Sequence, residues 1–457
     1  MAPTDQPPAI QSGRLTAGQY DKNFCDLHPL LTAKQATAEA GRCYFCFDAP
    51  CMNACPTTID IALFIRQIAT GDIKGSAKTI FSQNIMGAMC ARVCPTEQLC
   101  EQVCVRNDSE QKPVSIGRLQ RYATENAIVD NHQFFKREPD SGETVAVVGA
   151  GPAGLACAHR LAMHGHHVEI FEAKPKPGGL NEYGIATYKA LDDIAAREAE
   201  YILGIGNIEV RYEKTLGKDF TLESLRSDYG AVFLALGMAG VNQLDFENEN
   251  LSGVMNAVDY IADLRQTDDY ATLPTPKRAV IIGGGMTAID MAIQIKLLGS
   301  PDVTLVYRRD QRAMKASLYE QELAQTKGVN IIFNASPKRL MSESGRVTGI
   351  ELTRTITHSD DQLSDADETF ILDADMVFKA IGQTFDATPI KNDQQPDLKA
   401  GKLHVDDNRR TSLNNVWAGG DCISGGEDLT VAAVNDGRIA AIAIDQYLST
   451  RKQNGSV

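Results

Sequence analysis

The sequence predicts an α/β protein with an all-α domain in front of it. Three observations carry that prediction. Two stretches, opening at Thr144 and at Lys277, each read as strand, glycine-rich loop and helix, the start of a parallel α/β unit. Eight of the eleven cysteines crowd between Cys43 and Cys104, in a region flanked by helical apolar spacing. At 457 residues the chain exceeds a single hydrophobic core and suggests about three domains.

Composition narrows the class. Hydrophobic residues make up 43% and charged residues 23%, the balance of an ordinary globular protein. The formal net charge is −14, with the surplus acid spread along the chain, which argues against a phosphate-backbone partner. No apolar run approaches the roughly 18 residues of a membrane span. The opening MAPTDQPPAI lacks the basic-then-apolar order of a signal peptide, and the first dozen residues have the composition of a disordered tail. Clustered cysteines without an export signal predict reduced, metal-binding thiols in the cytoplasm.

The N-terminal region is read as helix, cysteines, helix. Leu31–Gly41 leads into Cys43-x2-Cys46-x4-Cys51-x3-Cys55-Pro56. Thr57 and Asp60 have capping-box spacing ahead of Ile61, Phe64, Ile65 and Ile68, which repeat at helical intervals. Cys90-x3-Cys94-Pro95-x4-Cys100-x3-Cys104 follows, and a helix from Ser115 to about Asn131 aligns Ile116, Gln120, Ala123 and Ala127 on one face. Gln120 is thus a polar group on an apolar face, the usual fate of which is an amide hydrogen-bonded inside a core. Closely spaced thiolates with proline directly after a cysteine suit iron–sulfur ligation. Structural zinc uses similar spacings and is the alternative. Residues 1–140 are read as this helical domain, with two clusters holding it together.

The first glycine loop predicts a dinucleotide site. Gly149 permits a tight turn, Gly151 lets the backbone of Pro152 and Ala153 approach a pyrophosphate, and Gly154 lets the helix pack close to the strand. The second strand, His167–Glu172, ends in an acid at the spacing of a ribose-binding carboxylate, so Glu172 is the expected 2′-OH partner. The turn ending in Gly179-Leu180 is placed to wrap the middle of the cofactor. A strand at Ala231–Leu236 ends at Gly237, another at Met376–Ile381 ends at Gly382, and Val416–Asp421 runs into a helix from Thr430 to Ile444. This order resembles flavoproteins of the disulfide-reductase type with two Rossmann-like domains. Gly420 and Asp421 are assigned to FAD on that resemblance, with a turn or capping aspartate as the alternative.

The second loop, Gly283, Gly284, Gly285, Met286, Thr287 and Ala288, follows a strand at Arg278–Ile282. The strand after it, Val303–Tyr307, ends in Arg308-Arg309 instead of an acid. Positive charge there suits a 2′-phosphate and hence NADPH, although a solvated basic turn gives the same pattern. The predicted layout is an FAD-binding domain at 141–265 and 382–457 with an NAD(P)H-binding domain, 266–381, inserted in it. Neither loop nor its helix contains Cys-x-x-Cys. No dithiol relay follows the flavin, and the cysteine block is the electron exit. No general acid or base is nominated.

The stretches CYFCFDAPCMNACPTTIDI, GAMCARVCPTEQLCEQVC and IGRLQRYATE resemble the glutamate synthase small-subunit family. Gly179–Ala186 and Met314–Ser317 are similar to its bacterial NAD-dependent dihydropyrimidine dehydrogenase branch. The resemblance implies that one [4Fe-4S] cluster takes Cys43, Cys46, Cys51 and Cys104. It implies that the other takes Cys55, Cys94, Cys100 and Gln120, with Cys90 as a spectator, whereas counting thiols alone would use all eight. It further implies NADH as donor, and an FMN- and iron–sulfur-containing partner subunit that reduces uracil or thymine. A glutamate synthase small subunit and a zinc-held redox sensor are the rival readings.

Overall fold

The computed structural model describes residues 9–244, 249–358, 362–391 and 395–454. The chain forms two compact units, each assembled from separate stretches of sequence. In chain order the elements used below are α1 (Ala17–Asn23), α2 (Ala33–Ala40), α3 (Ile61–Ala69), α4 (Ile73–Gln83), α5 (Gly87–Val93) and α6 (Ile116–Val129). The first sheet begins with β1 (Thr144–Val148), α7 (Pro152–Met163), β2 (His167–Phe171), α8 (Ile194–Leu203), β3 (Ile208–Arg211) and β4 (Ala231–Leu234). The second contains β5 (Val254–Asn256), α9 (Ala257–Gln266), β6 (Arg278–Gly283), α10 (Met286–Leu297), β7 (Asp302–Val306), α11 (Leu318–Thr326) and β8 (Asn330–Ile332). After β9 (Ala335–Glu343), β10 (Arg346–Thr357), β11 (Leu363–Asp373) and β12 (Met376–Ala380), the chain closes with β13 (Val416–Ala418) and α12 (Thr430–Asn454).

The larger unit comprises His28–Glu182, Asp192–Ala239 and Phe385–Val457, so the cysteine-bearing helices and the first dinucleotide fold are one body. Its sheet is parallel in the order β13-β4-β1-β2-β3. Helices cover a parallel sheet, so β1 is buried from Val145 to Val148 and reads as a plain apolar run. α12 crosses α7 so closely that a Cβ on Gly437 would lie 2.1 Å from the Ala153 carbonyl, which fixes the N-terminal half of α12 beside the glycine loop. In the helical part, Asp60 and Asp72 cap α3 and α4 by accepting from Leu63 and Gly75 N–H groups. The expected Thr57–Asp60 capping box is therefore not formed. Asp60 is itself the N-cap, and the Thr57 hydroxyl lies 3.3 Å from Cys55 Sγ.

The other unit gathers Met1–Leu27, Tyr183–Leu191 and Gly240–Thr384. Its parallel sheet runs β5-β12-β6-β7-β8, and β9-β10-β11 form an antiparallel sheet that the sequence reading did not anticipate. Three expected boundaries move. β5 pairs with β12, and α9 packs beneath them, so the unit begins near Gly240 and not at 266. Gly382 lies inside it, because Gln383–Thr384 pair with Gly240–Val241. Residues up to Leu27 also belong here and not to the helical domain: Tyr20 and Phe24 are buried with Tyr260, Leu264 and Met291. Of the expected disordered tail, residues 1–8 lie outside the described residues, while Ile10 bridges to Pro276 and Gln11 N–H bonds the Thr275 carbonyl. Among the described residues no helix is long and apolar enough to cross a membrane.

Candidate functional site

The eight clustered cysteines line two cavities in the larger unit, and the sorting is interleaved. Cys43, Cys46, Cys51 and Cys104 line the first, of about 390 Å3. Cys55, Cys90, Cys94 and Cys100 line the second, of about 380 Å3, together with Gln120. Ile61 lines both, so one side chain forms their common wall. Burial, reinforced by Cys43 and Cys104, pushes the Cys51 thiol up to about 12. A hydrogen bond with Cys90, then burial, raises Cys94, and burial with Glu101 and Cys55 raises Cys100. Several sulfurs that repel one another as thiolates need a multiply charged cation to ionise together, which is the donor chemistry of a metal–thiolate site. The loops are shaped for sulfur: Phe45 adopts φ 52°, and its N–H donates to Cys43 Sγ at 3.4 Å. All eleven cysteines are free, and Cys157 and Cys422 are buried singly, as packing residues.

Gln120 is 8% exposed and its Nε2 donates to the Gly87 carbonyl at 2.8 Å. With its nitrogen so engaged, the amide oxygen is the atom left for the second cavity. Cys90, 1% exposed, lines the same cavity. Val431, in the first turn of α12, lines it too.

The same unit assembles the first dinucleotide site. A Cβ on Gly149 (φ 103°) would lie 2.3 Å from the Ala235 carbonyl, and one on Gly154 would lie 1.9 Å from the Gly149 carbonyl. Only glycine fits these two positions. α7 then starts at Pro152 and Ala153 with Gly151 as N-cap. Gly179 crosses this loop, its Cβ position 2.8 Å from Gly151 Cα, and Leu180 after it is 40% exposed. Glu172, at the end of β2, accepts from Ala150 N–H at 2.7 Å and Lys174 N–H at 2.8 Å. Each carboxylate oxygen retains a lone pair for a ribose hydroxyl. Gly420 sits beside Ala153, and its N–H donates to Asp436 Oδ2 at 2.9 Å. Thr430 Oγ1 donates to Asn181 Oδ1 at 3.1 Å. Burial, with Asp428 adding to it and Lys402 opposing, lifts the Asp421 carboxyl to about 6. Gly237, at φ 62°, follows β4 in the same sheet.

The second dinucleotide site forms within the other unit. A Cβ on Gly283 would meet the Ala380 carbonyl at 2.2 Å, and one on Gly284 would meet the Tyr307 ring at 2.4 Å. α10 begins at Met286 and Thr287 with Gly285 as N-cap. Arg308 is exposed and Arg309 half-buried beyond β7, their carbonyls bound by the Thr355 hydroxyl and the Asn334 N–H. One turn into α10 lies a buried charge group absent from the sequence reading. Lys189 Nζ is 2.7 Å from Asp290 and 2.9 Å from Glu320, and Tyr188 donates to Asp290 at 2.9 Å. Glu198 in the larger unit was missed as well. It lies between Ile194 and Ile202 on one face of α8, the same polar-on-apolar signal that singles out Gln120.

A flavoprotein reductase with two dinucleotide folds and a cysteine-rich, metal-binding helical region ahead of them is the class this fold and these sites define. The chain belongs to the pyridine nucleotide-disulphide oxidoreductase family, which matches residues 143–437. Residues 20–132 match dihydropyrimidine dehydrogenase domain II, 4Fe-4S cluster. Within this family the chain is 35% identical over 430 residues to the NAD-dependent dihydropyrimidine dehydrogenase subunit PreT homolog of Salmonella typhi, covering 93% of this chain and 98% of that one. It is 32% identical over 447 residues to the glutamate synthase [NADPH] small chain of Escherichia coli, covering 93% and 94%. Mycobacterium tuberculosis FprA in complex with NADPH shares the fold at a TM-score of 0.58 and 19% identity, over 70% of this chain and 86% of that one. So does T. acidophilum thioredoxin reductase, at 0.52 and 22%, over 66% and 97%.

Proposed function

We propose that this chain is the electron-input subunit of an NAD-dependent dihydropyrimidine dehydrogenase. It oxidises NADH and supplies a partner subunit, carrying FMN and iron–sulfur clusters, that reduces uracil or thymine to the 5,6-dihydro form in the cytoplasm. FAD held in the first glycine-loop site would supply a two-electron acceptor for the hydride of the nicotinamide, and two [4Fe-4S] clusters held by the cysteines and Gln120 would supply one-electron carriers.

The chain's own residues bind and orient. The Gly149–Gly154 loop, Gly179, Leu180, Gly237, Gly420, Asp421 and Thr430 hold FAD, with Glu172 on its ribose. Gly283–Thr287 hold the nicotinamide nucleotide, with Gly382 two residues beyond β12, whose last residue Ala380 pairs with Gly283. Cys43, Cys46, Cys51 and Cys104 hold one cluster, and Cys55, Cys94, Cys100 and Gln120 the other. The observation that carries this reading is Val431: the helix that completes the flavin site contributes a wall of the second cysteine cavity. That contact supports an exit from flavin to cluster. Around the first cavity Phe47 is fully exposed and Tyr44 is 54% exposed beneath the Arg106 guanidinium, which supports delivery to a protein there. NADH is assigned on the family resemblance, although Arg308 and Arg309 would accommodate a 2′-phosphate.

The test is purification with and without the co-occurring subunit. The expected chain is brown, contains iron and labile sulfide in equal amounts, reduces artificial acceptors with NADH, and reduces uracil only with its partner. Zinc in place of iron, a large amidotransferase as partner, or faster turnover with NADPH would each overturn the corresponding part.

A further inference from the structure

Glu198 is fully buried in α8, on the flavin side of the larger unit. A carboxylate in that position is costly unless its oxygens are satisfied. Both are, and by an element more than 100 residues away: Oε1 accepts from Ala88 N–H at 2.7 Å and Oε2 from Met89 N–H at 3.2 Å. These are first-turn donors of α5, which have no partner within their own helix, and the N-cap residue Met86 offers no side-chain acceptor. A serine or aspartate at that cap would satisfy the same groups locally, at lower desolvation cost. The long-range solution therefore secures something a local cap would not.

What it secures is legible in the contacts of α5. Gly87, the residue before Ala88, gives its carbonyl to Gln120 Nε2 at 2.8 Å, and Cys94 is the C-cap of the same helix. Both ends of α5 thus serve the second cysteine cavity. There is little slack, since a Cβ on Gly87 would lie 2.7 Å from Ile80 and 2.9 Å from Thr124. We propose that Glu198 is the positioning residue of the second cluster site: by holding α5 in register with the flavin-binding layer, it fixes the orientation in which Gln120 offers its oxygen. This rests on Gln120 being a cluster ligand. No bond is made or broken by Glu198; it governs the geometry from which one electron enters the site.

The charged groups facing Glu198 are Arg92 from α5 and Glu125 from α6, themselves paired at 2.7 Å. Burial lifts the Glu198 carboxyl to about 8 against the pull of the Ala88 and Met89 N–H groups. Oε1 lies within reach of both donors, 2.7 Å from Ala88 N and 3.3 Å from Met89 N, so the single oxygen of an amide of the same length can accept from both, whereas a shorter side chain cannot reach them.

The test uses the full chain with its cofactors, and compares Glu198→Gln with Glu198→Asp and Glu198→Ala. The readouts are the electron paramagnetic resonance spectrum and midpoint potential of each cluster. Expected is a native pattern for Glu198→Gln. For Glu198→Asp and Glu198→Ala, the second cluster's reduction equilibrium moves about tenfold, or about 59 mV for one electron, while the first cluster is unchanged. If both variants only lower the melting temperature and leave the second cluster's spectrum and potential alone, the role is refuted. Should Glu198→Ala fail to fold, Glu198→Asp against Glu198→Gln carries the same decision. Gln120→Ala beside Cys90→Ser separates the premise: if Gln120→Ala spares both clusters and Cys90→Ser bleaches one, the ligand set falls independently of Glu198.

Discussion

In the proposed flavin site, Asp421 carries a structural cost. Its folded carboxyl is raised from 3.8 to about 6, first by burial and then by Asp428. A raised acid binds its proton more tightly in the folded state, so the cost of ionising it is fully present above about pH 6 and is relieved as pH falls towards 3.8. Asp421→Asn should therefore stabilise the flavin-free protein at pH 7 by about 1–3 kcal/mol, with the gain vanishing near pH 4. FAD should bind about tenfold more weakly. Thermal melts across pH and flavin titration check both, and a gain that persists at pH 4 would contradict the assignment. The glycines of the first loop were legible from spacing alone because their requirement is steric and local. Glu198 was not, although its spacing carried the same signal as Gln120, because its partners Ala88 and Met89 are backbone groups that any residue would provide.

At the scale of elements, α10 carries the second glycine loop at its N-terminus and Asp290 one turn further in. Burial alone would lower the Lys189 ammonium, but Asp290 and Glu320 more than compensate and hold it above its ordinary value. Lys189→Met would leave two buried carboxylates without their cation. That should cost about 3–5 kcal/mol and weaken nicotinamide-nucleotide binding, measured by chemical unfolding and NADH titration. An unchanged unfolding midpoint would show the group to be better solvated than its burial implies. β1, α7, β6, α10 and β13 could be placed from sequence because buried parallel strands and glycine-opened helices leave strong local signals. α5, of seven residues, has too few turns to show a period, and α4 was missed because its buried face includes Ser76 and Ala77, whose small side chains weaken the apolar signal. The β9–β10–β11 sheet alternates polar and apolar residues only weakly, and its strands are identified by their pairing.

For the molecule as a whole, each unit is discontinuous in sequence, and this has a consequence for truncation. Tyr20 and Phe24, each 3% exposed, pack in the core of the nucleotide unit, with Phe24 and Tyr270 ring centroids 4.5 Å apart. Removing residues 1–27 should cost that unit about 2–3 kcal/mol for each lost aromatic. The flavin absorbance and iron content of the larger unit should survive. Calorimetry resolving the unfolding of the two units checks this, and loss of the clusters instead would place the segment in the metal domain.

The sequence by itself determined the chemistry on offer: clustered cysteines, two glycine-rich loops that each open a helix, no Cys-x-x-Cys beside either loop, and a parallel α/β scaffold. These follow from residue type and short spacing, which sterics and periodicity make readable. Tertiary structure alone decided how the eight cysteines sort into two interleaved cavities, that Gln120 and Cys90 line the same one, and that Val431 of α12 lines it with them. It also decided that the described residues from 9 to 27 and Tyr183–Leu191 fold with the β5-β12-β6-β7-β8 sheet. Such outcomes depend on contacts between residues tens to hundreds of positions apart, where burial of apolar surface and satisfaction of buried polar groups choose among partners that local sequence leaves equivalent.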